Sequence, residues 1–141
     1  MYILDTDHLG ILQRKRGPEF KHLMNTLATI DETQVYITIV SFLEQFAGWI
    51  KYVKGSLDQT KIVFGYSRLE MIIQNFCEAP VLSYSTAAAE IFEEIRGRKL
   101  RIATMDLRIA AISIAERMVL VTRNTGDFGG IPELQLEDWT A

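Results

Sequence analysis

Apolar positions change their period several times along this chain, and each change marks an element. Tyr2-Ile3-Leu4 is a short run with apolar residues on both faces, which predicts a buried strand. It stops at Asp5-Thr6-Asp7-His8, and a helix is predicted from Leu9, with Leu9 and Leu12 on one face and Arg14, Lys15 and Arg16 near its end. Gly17-Pro18 breaks that helix. Glu19–Ile30 then carries Phe20, Leu23, Met24, Leu27 and Ile30 at three- and four-residue spacing, the pattern of an amphipathic helix. The β-branched run Val35–Val40 predicts a second strand. Ser41 and Glu44 have the S-x-x-E spacing of a capping box, opening a helix that runs to Gly55. Ser56 or Asp58 can cap the next, which bears Ile62, Tyr66, Leu69, Ile73 and Phe76 along one side. Ala79–Tyr84 reads as a third strand, and Ser85 or Thr86 caps the helix Ala87–Ile95. Thr104-Met105-Asp106 opens the helix Leu107–Arg117, apolar nearly all round and so deeply packed. Val119–Thr122 is a fourth strand and Leu134–Leu136 a weak last one.

Strands alternating with helices imply a parallel sheet covered on both faces, an α/β fold. The 141 residues fit a single domain, residues 1–141, without repeats or linkers. The balance of 48% hydrophobic and 23% charged residues excludes a disordered chain. Cys77 is the one cysteine, so there is no internal disulfide framework; it fits a reducing compartment and reads as a small buried apolar residue. Asp5 and Asp7 interrupt the start of the chain before any signal-peptide pattern develops. No apolar run approaches the roughly 18–20 residues of a membrane span. The expectation is a soluble cytoplasmic protein with no membrane partner. A net charge of −3 argues at face value against nucleic acid.

The hairpin at Ser41–Phe76 holds more large apolar residues than one buried stripe requires, including Phe42, Phe46, Trp49, Tyr52, Phe64 and Met71. Two readings stay open for it: a wide core face, or a surface for a protein partner.

The acids change the picture more. Ligand sites of open α/β sheets form beyond the carboxyl ends of the strands. Asp5 follows the first strand, Glu44 the second and Asp127 the fourth, while Asp106 stands at a helix entry, and right-handed crossovers put all four on one edge. Singly, Asp106 reads as a helix cap, Glu44 as part of a capping box and Asp127 as turn chemistry. Together they would repel one another unless some stayed protonated or a cation were present. An all-oxygen donor set suits Mg²⁺ or Mn²⁺, and no His-Cys cluster exists for zinc, since His8 and His22 stand alone. A divalent ion with open water positions is what hydrolysis of a phosphodiester requires, with no nucleophilic side chain. Neutralising the four acids leaves a small positive remainder. Arg14, Lys15 and Arg16, with Arg98, Lys99 and Arg101, are then candidates to hold phosphates.

ILDTDHL at Ile3–Leu9, Glu44 at the end of VYITIVSFLE, Asp106 in MDLRIAAISIA and TRNTGDF at Thr122–Phe128 together resemble the PIN domain, and in particular the VapC-type toxins of prokaryotic toxin–antitoxin pairs. The resemblance runs from Tyr2 to about Trp139. It implies a three-layer α/β/α sandwich around a mainly parallel sheet of four to five strands. It also implies a Mg²⁺- or Mn²⁺-dependent endoribonuclease, dimeric and inhibited by a small cognate antitoxin. By resemblance Asp5 and Asp106 are the principal metal ligands, Glu44 binds metal or orients water, and Asp127 completes the pocket. Thr6, Asp7, Thr122 and Asn124 match the family's polar supports.

Three other readings use the same residues. A D-x-D phosphatase would take Asp5 as covalent nucleophile and Asp7 as acid, but Gly126-Asp127-Phe128-Gly129-Gly130 supplies only one acid of its later motif. A phospho-acceptor receiver domain wants a lysine after its last strands, where this chain has Arg123 and Asn124. A non-catalytic module would keep the acids for metal or partner binding alone.

Overall fold

The computed structural model describes residues 1–141. Its strands are β1 (Tyr2–Leu4), β2 (Val35–Thr38), β3 (Val81–Leu82), β4 (Val119–Val121) and β5 (Leu136–Glu137). Its helices are α1 (Thr6–Arg14), α2 (Pro18–Leu27), α3 (Ile39–Lys54), α4 (Gln59–Glu78), α5 (Thr86–Arg96), α6 (Thr104–Glu116) and α7 (Thr125–Phe128). The sheet runs β3-β2-β1-β4-β5, and every pairing is parallel. Winding proceeds outward from β1 through β2 to β3, then resumes on the other side with β4 and β5. The carboxyl ends of β1 and β4 therefore meet where the winding reverses, the place at which open α/β sheets form ligand crevices.

The short central strands β1 and β4 hold together because both of their faces are buried. Ile3 and Leu120 join a core with Phe92, Ile109, Ile112, Phe128 and Ile131 on one face of the sheet. Their neighbours Leu4 and Val121 point the opposite way, to Leu9, Ile11, Leu23, Ile37 and Trp139. Helix α6 is the most enclosed element, with Ile109, Ala110, Ala111 and Ile112 fully buried. No helix is long and apolar enough to cross a membrane.

The elements match the sequence pattern in kind and order and differ at their ends. The second strand stops at Thr38 rather than Val40, because Thr38 turns into a helix cap whose hydroxyl accepts the N–H of Ser41 at 3.1 Å. Ile39 and Val40 fall in the first turn of α3 despite their β-branching, and the Ser41–Glu44 capping box does not form. Helix α1 likewise begins at Thr6, not Leu9, since Asp5 caps it. Asp58 rather than Ser56 caps α4, and Ser85 caps α5. Helix α2 ends at Leu27 and β3 is only Val81–Leu82. The four-residue α7 is too short for periodicity to reveal. Cys77, expected inside, is exposed on α4.

The α3–α4 hairpin closes on its own aromatics: Trp49 meets Tyr52 and Phe64 edge-on, at centroid distances of 5.3 and 5.7 Å. Phe42 packs with Phe46 and Phe76. The hairpin thus satisfies the first reading in part, yet it leaves Leu57, Val63, Phe64, Tyr66 and Ile73 exposed. A Cβ added at Gly65 would lie 2.5 Å from Val53 Cγ2 and 3.0 Å from the Tyr52 ring, whereas one at Gly48 meets nothing within 4 Å. Chemical denaturation should therefore find Gly65→Ala destabilising by roughly 1–2 kcal/mol net of its helix-propensity gain, and Gly48→Ala stabilising by up to about 1 kcal/mol.

A candidate acidic active site

The ladder between β1 and β4 continues one residue past the strands, where the Asp5 N–H donates to the Val121 carbonyl at 2.9 Å. That bond seats the Asp5 carboxylate at the junction of strand and helix, 4% exposed. One of its oxygens accepts the Thr6 N–H at 2.7 Å and the other the Thr122 hydroxyl at 2.7 Å. Burial, followed by the charge of Asp7 and with a smaller push from Asp106, drives its pKa up to about 7 against the two hydrogen bonds.

Asp7 sits two residues away and behaves in the opposite sense. Burial acts to raise its pKa. The hydrogen bond from His8, the Arg123 N–H at 2.9 Å and the nearby imidazole outweigh it and hold the carboxyl below its usual range. His8, fully buried, presents Nδ1 to Asp7 at 2.7 Å while Nε2 accepts the Trp139 N–H at 3.1 Å. A backbone donor on Nε2 assigns the proton to Nδ1, so the neutral Nδ1–H tautomer satisfies both contacts. His8 thereby joins the segment after β5 to the acidic edge.

Glu44, carried into the site by the second turn of α3, accepts the Thr6 hydroxyl at 2.8 Å. Thr6 has a single hydroxyl proton, which goes to Glu44, so its oxygen accepts from Ser41 at 2.9 Å. Burial raises the Glu44 pKa, opposed by Thr6 and reinforced by Asp106 and Asp7. Asp106 lies in the first turn of α6 without capping it, since the cap residue is Ala103 and no side chain caps that end. Its carboxyl is raised by burial, then by Asp127 and Asp7. Asp127, on α7, is exposed and reaches the group through its charge on Asp106.

The structure therefore brings Asp5, Glu44, Asp106 and Asp127 into one electrostatic neighbourhood. The side chains do not close a three-ligand cage of His, Cys, Asp or Glu. Of the supporting residues, Thr6, Asp7 and Thr122 bond directly within the site, while Asn124 contributes its backbone N–H to the Thr122 hydroxyl at 3.0 Å. Ser41, expected as a helix cap, and His8, expected to stand alone, turn out to support the site through partners 35 and 131 residues away, beyond any local motif. Among the cations proposed for phosphates, Arg98 is engaged by Glu94 at 2.9 Å and Glu133 at 2.8 Å. Arg14 and Arg16 line a groove that begins at Thr6.

All-oxygen donors raised by burial and by neighbouring acids fit a hard divalent cation, which would offset both and complete its shell with water. Without such an ion the folded protein binds a proton at Asp5 more readily than the unfolded chain. Folding stability from this group is then full below about pH 4 and is lost as the pH rises to about 7. In the presence of chelator, thermal melts should show this decline, on the order of 2–4 kcal/mol, with Glu44 and Asp106 adding in the same direction. Asp5→Asn should flatten the profile and melt higher than the parent at pH 8. His8→Leu orphans the Trp139 N–H and removes a donor from Asp7. It should cost at least about 2 kcal/mol and speed hydrogen exchange at the Trp139 amide.

No family model matches the chain. Ribonuclease VapC2 of Rickettsia felis is 31% identical to it over 139 residues, 99% of this chain and 98% of that protein. The structure of VapBC2 from Rickettsia felis bound to a DNA fragment from their promoter superposes at a TM-score of 0.72 with 26% identity, over 98% of each chain. VapBC-1 from nontypeable Haemophilus influenzae shares the fold at a TM-score of 0.78 and 21% identity, over 99% of this chain and 98% of that one. Agreement in sequence and fold across nearly the whole length, around an acidic edge of this construction, shows that the chain belongs to the VapC family of PIN-domain ribonucleases.

Proposed function

We propose that this protein hydrolyses RNA phosphodiester bonds as the toxin of a type II toxin–antitoxin pair, using Mg²⁺ or Mn²⁺ held by Asp5, Glu44 and Asp106 with Asp127 at the rim. The observation that carries the reading is the gathering of Asp5, Glu44 and Asp106, from distant parts of the chain, at one edge of the sheet, where Thr6 bonds both Asp5 and Glu44 and where burial first, then neighbouring acids, raise all three carboxyls. Such crowding is costly to folding and is kept where a cation resolves it. The bound ion would polarise the scissile phosphate and lower the pKa of an attacking water.

The chain's own residues do the positioning. Thr6 N–H and the Thr122 hydroxyl aim the Asp5 oxygens, and the Thr6 hydroxyl orients Glu44. Asp7, held ionised by His8 and Arg123, anchors the strand end. That same commitment removes Asp7 as the proton donor a D-x-D phosphatase requires.

The relatives supply the partner class: the VapBC assemblies support a cognate antitoxin here, docking on the apolar residues that α3–α4 leaves exposed. A homodimer in the cytoplasm completes the reading. Ile39 and Leu43, 43% and 51% exposed beside Tyr84 and Phe92, offer the apolar face it would bury.

Purified protein should cleave single-stranded RNA with Mg²⁺ or Mn²⁺ and not with chelator. Asp5→Asn and Asp106→Asn should each lose at least about 100-fold in rate. Added Mg²⁺ should also raise the melting temperature of the parent at pH 8 and leave that of Asp5→Asn unmoved. Full activity in both variants would refute the carboxylate site.

A further inference from the structure

One groove leaves the acidic edge at Thr6 and runs between three helices, with a volume of about 460 Å³. Its walls are single stripes at helical spacing: Thr6, Gly10 and Gln13 from α1, Gln45 and Trp49 from α3, and Phe64, Arg68 and Met71 from α4. Three features set it apart from the rest of the surface.

The first is charge. Arg14, Arg16 and Arg68 line the groove and no acid does, on a chain whose net charge is −3. None of the three is in an ion pair, whereas Arg96 and Arg98 on α5 and beyond are both paired with glutamates. Arg14 folds back along α1 towards the acids: its Nη1 lies 3.2 Å from where a Cβ at Gly10 would be.

The second is an aromatic wall. Trp49 and Phe64 stand edge-to-face at 5.7 Å, and the Arg68 guanidinium lies 4.9 Å from the Phe64 centroid. Phe64 keeps 44% of its surface exposed. The third is rigidity. Gln13 and Gln45 exchange reciprocal amide hydrogen bonds at 3.0 and 2.8 Å, and Gln13 also donates to Asn75 at 3.0 Å. These bonds tie α1, α3 and α4 together and fix the groove's width before any ligand arrives.

Unpaired cations beside a half-buried Trp49 and an exposed Phe64 supply the chemistry that binds single-stranded nucleic acid: phosphates on the arginines, bases on the rings. We infer that this groove holds the RNA strand leaving the cleavage site, with Arg14, Arg16 and Arg68 on its phosphates and a base stacked against Trp49 and Phe64. The inference rests on the ribonuclease reading and specifies the path of its substrate. The volume is within the roughly 300–1,000 Å³ range of small-ligand sites, enough for the first nucleotides beyond the scissile bond.

The test uses full-length Asp5→Asn protein, which keeps the RNA intact, and a fluorescein-labelled single-stranded polyuridine probe, followed by anisotropy across a KCl series with Mg²⁺ present. Arg14→Gln and Arg68→Gln should each reduce the slope of log affinity against log salt by about 0.7. Trp49→Leu should weaken binding roughly tenfold and leave the slope unchanged. Arg117→Gln, beyond the opposite end of α6 from Asp106, should match the parent. The arginine variants carry the test should Trp49→Leu lose its fold by circular dichroism. Folded arginine variants with the parent's affinity and slope would overturn the groove assignment, as would variants that lose a protein partner while binding RNA normally. Wild-type protein that cleaves RNA while the groove variants bind it unimpaired leaves the nuclease reading standing without this path. Wild-type protein that neither binds nor cleaves RNA removes both.

Discussion

A carboxylate buried at the end of a central strand is costly to fold, and the polar architecture of this protein is arranged around that cost at Asp5. The Asp5 N–H extends the ladder to β4, so the residue cannot withdraw without unpairing the sheet. Its side chain accepts two hydrogen bonds, yet desolvation and neighbouring charge still win, which is why its pKa rises to about 7. That cost is placed where β1, α1 and β4 meet, at the edge that α3 and α6 bring Glu44 and Asp106 to.

Two aspartates separated by one residue have opposite fates, which shows how little residue type alone decides. Asp5 faces one backbone N–H, one hydroxyl and further acids, in deeper burial. Asp7 faces an imidazole N–H and a backbone N–H, and so stays ionised as a structural anchor. From it a continuous run of contacts leads through His8 to the backbone of Trp139, whose ring packs against Tyr2 at 4.9 Å. The terminal segment is therefore part of the site's scaffold. On the other flank the hydroxyls of Ser41 and Thr6 hand a directed series of hydrogen bonds to Glu44, so that α3 is fixed to the first turn of α1.

Charge is partitioned on a larger scale as well. The acids gather at the switch point of the sheet, while unpaired arginines and aromatic faces border the groove beside it. A chain of net negative charge can in this way present a locally positive approach beside its acidic edge. The same hairpin whose rings line the groove turns apolar residues outward on α4, so an aromatic, cationic groove and an apolar face lie on one pair of helices.

The sequence by itself determined the order of strands and helices, the burial of α6 and the identity of the acids, because those follow from periodicity and from residues standing next to strand ends. A strand at Val119–Thr122, one residue longer than β4, and Asp106 could be read from a dozen neighbours at most. The tertiary structure alone decided which hydroxyls and imidazole support the acids, since the Thr122–Asp5 and Trp139–His8 bonds span 117 and 131 residues. It also decided where β2 gives way to helix, for Thr38 caps α3 in a run whose β-branched residues extend the strand on propensity alone. The same limit hid α7, four residues long and held by Phe128 in the core. Local patterns report which residues prefer which backbone; the pKa of Asp5, the tautomer of His8 and the freedom of Arg14 are set by neighbours that only the folded chain brings near.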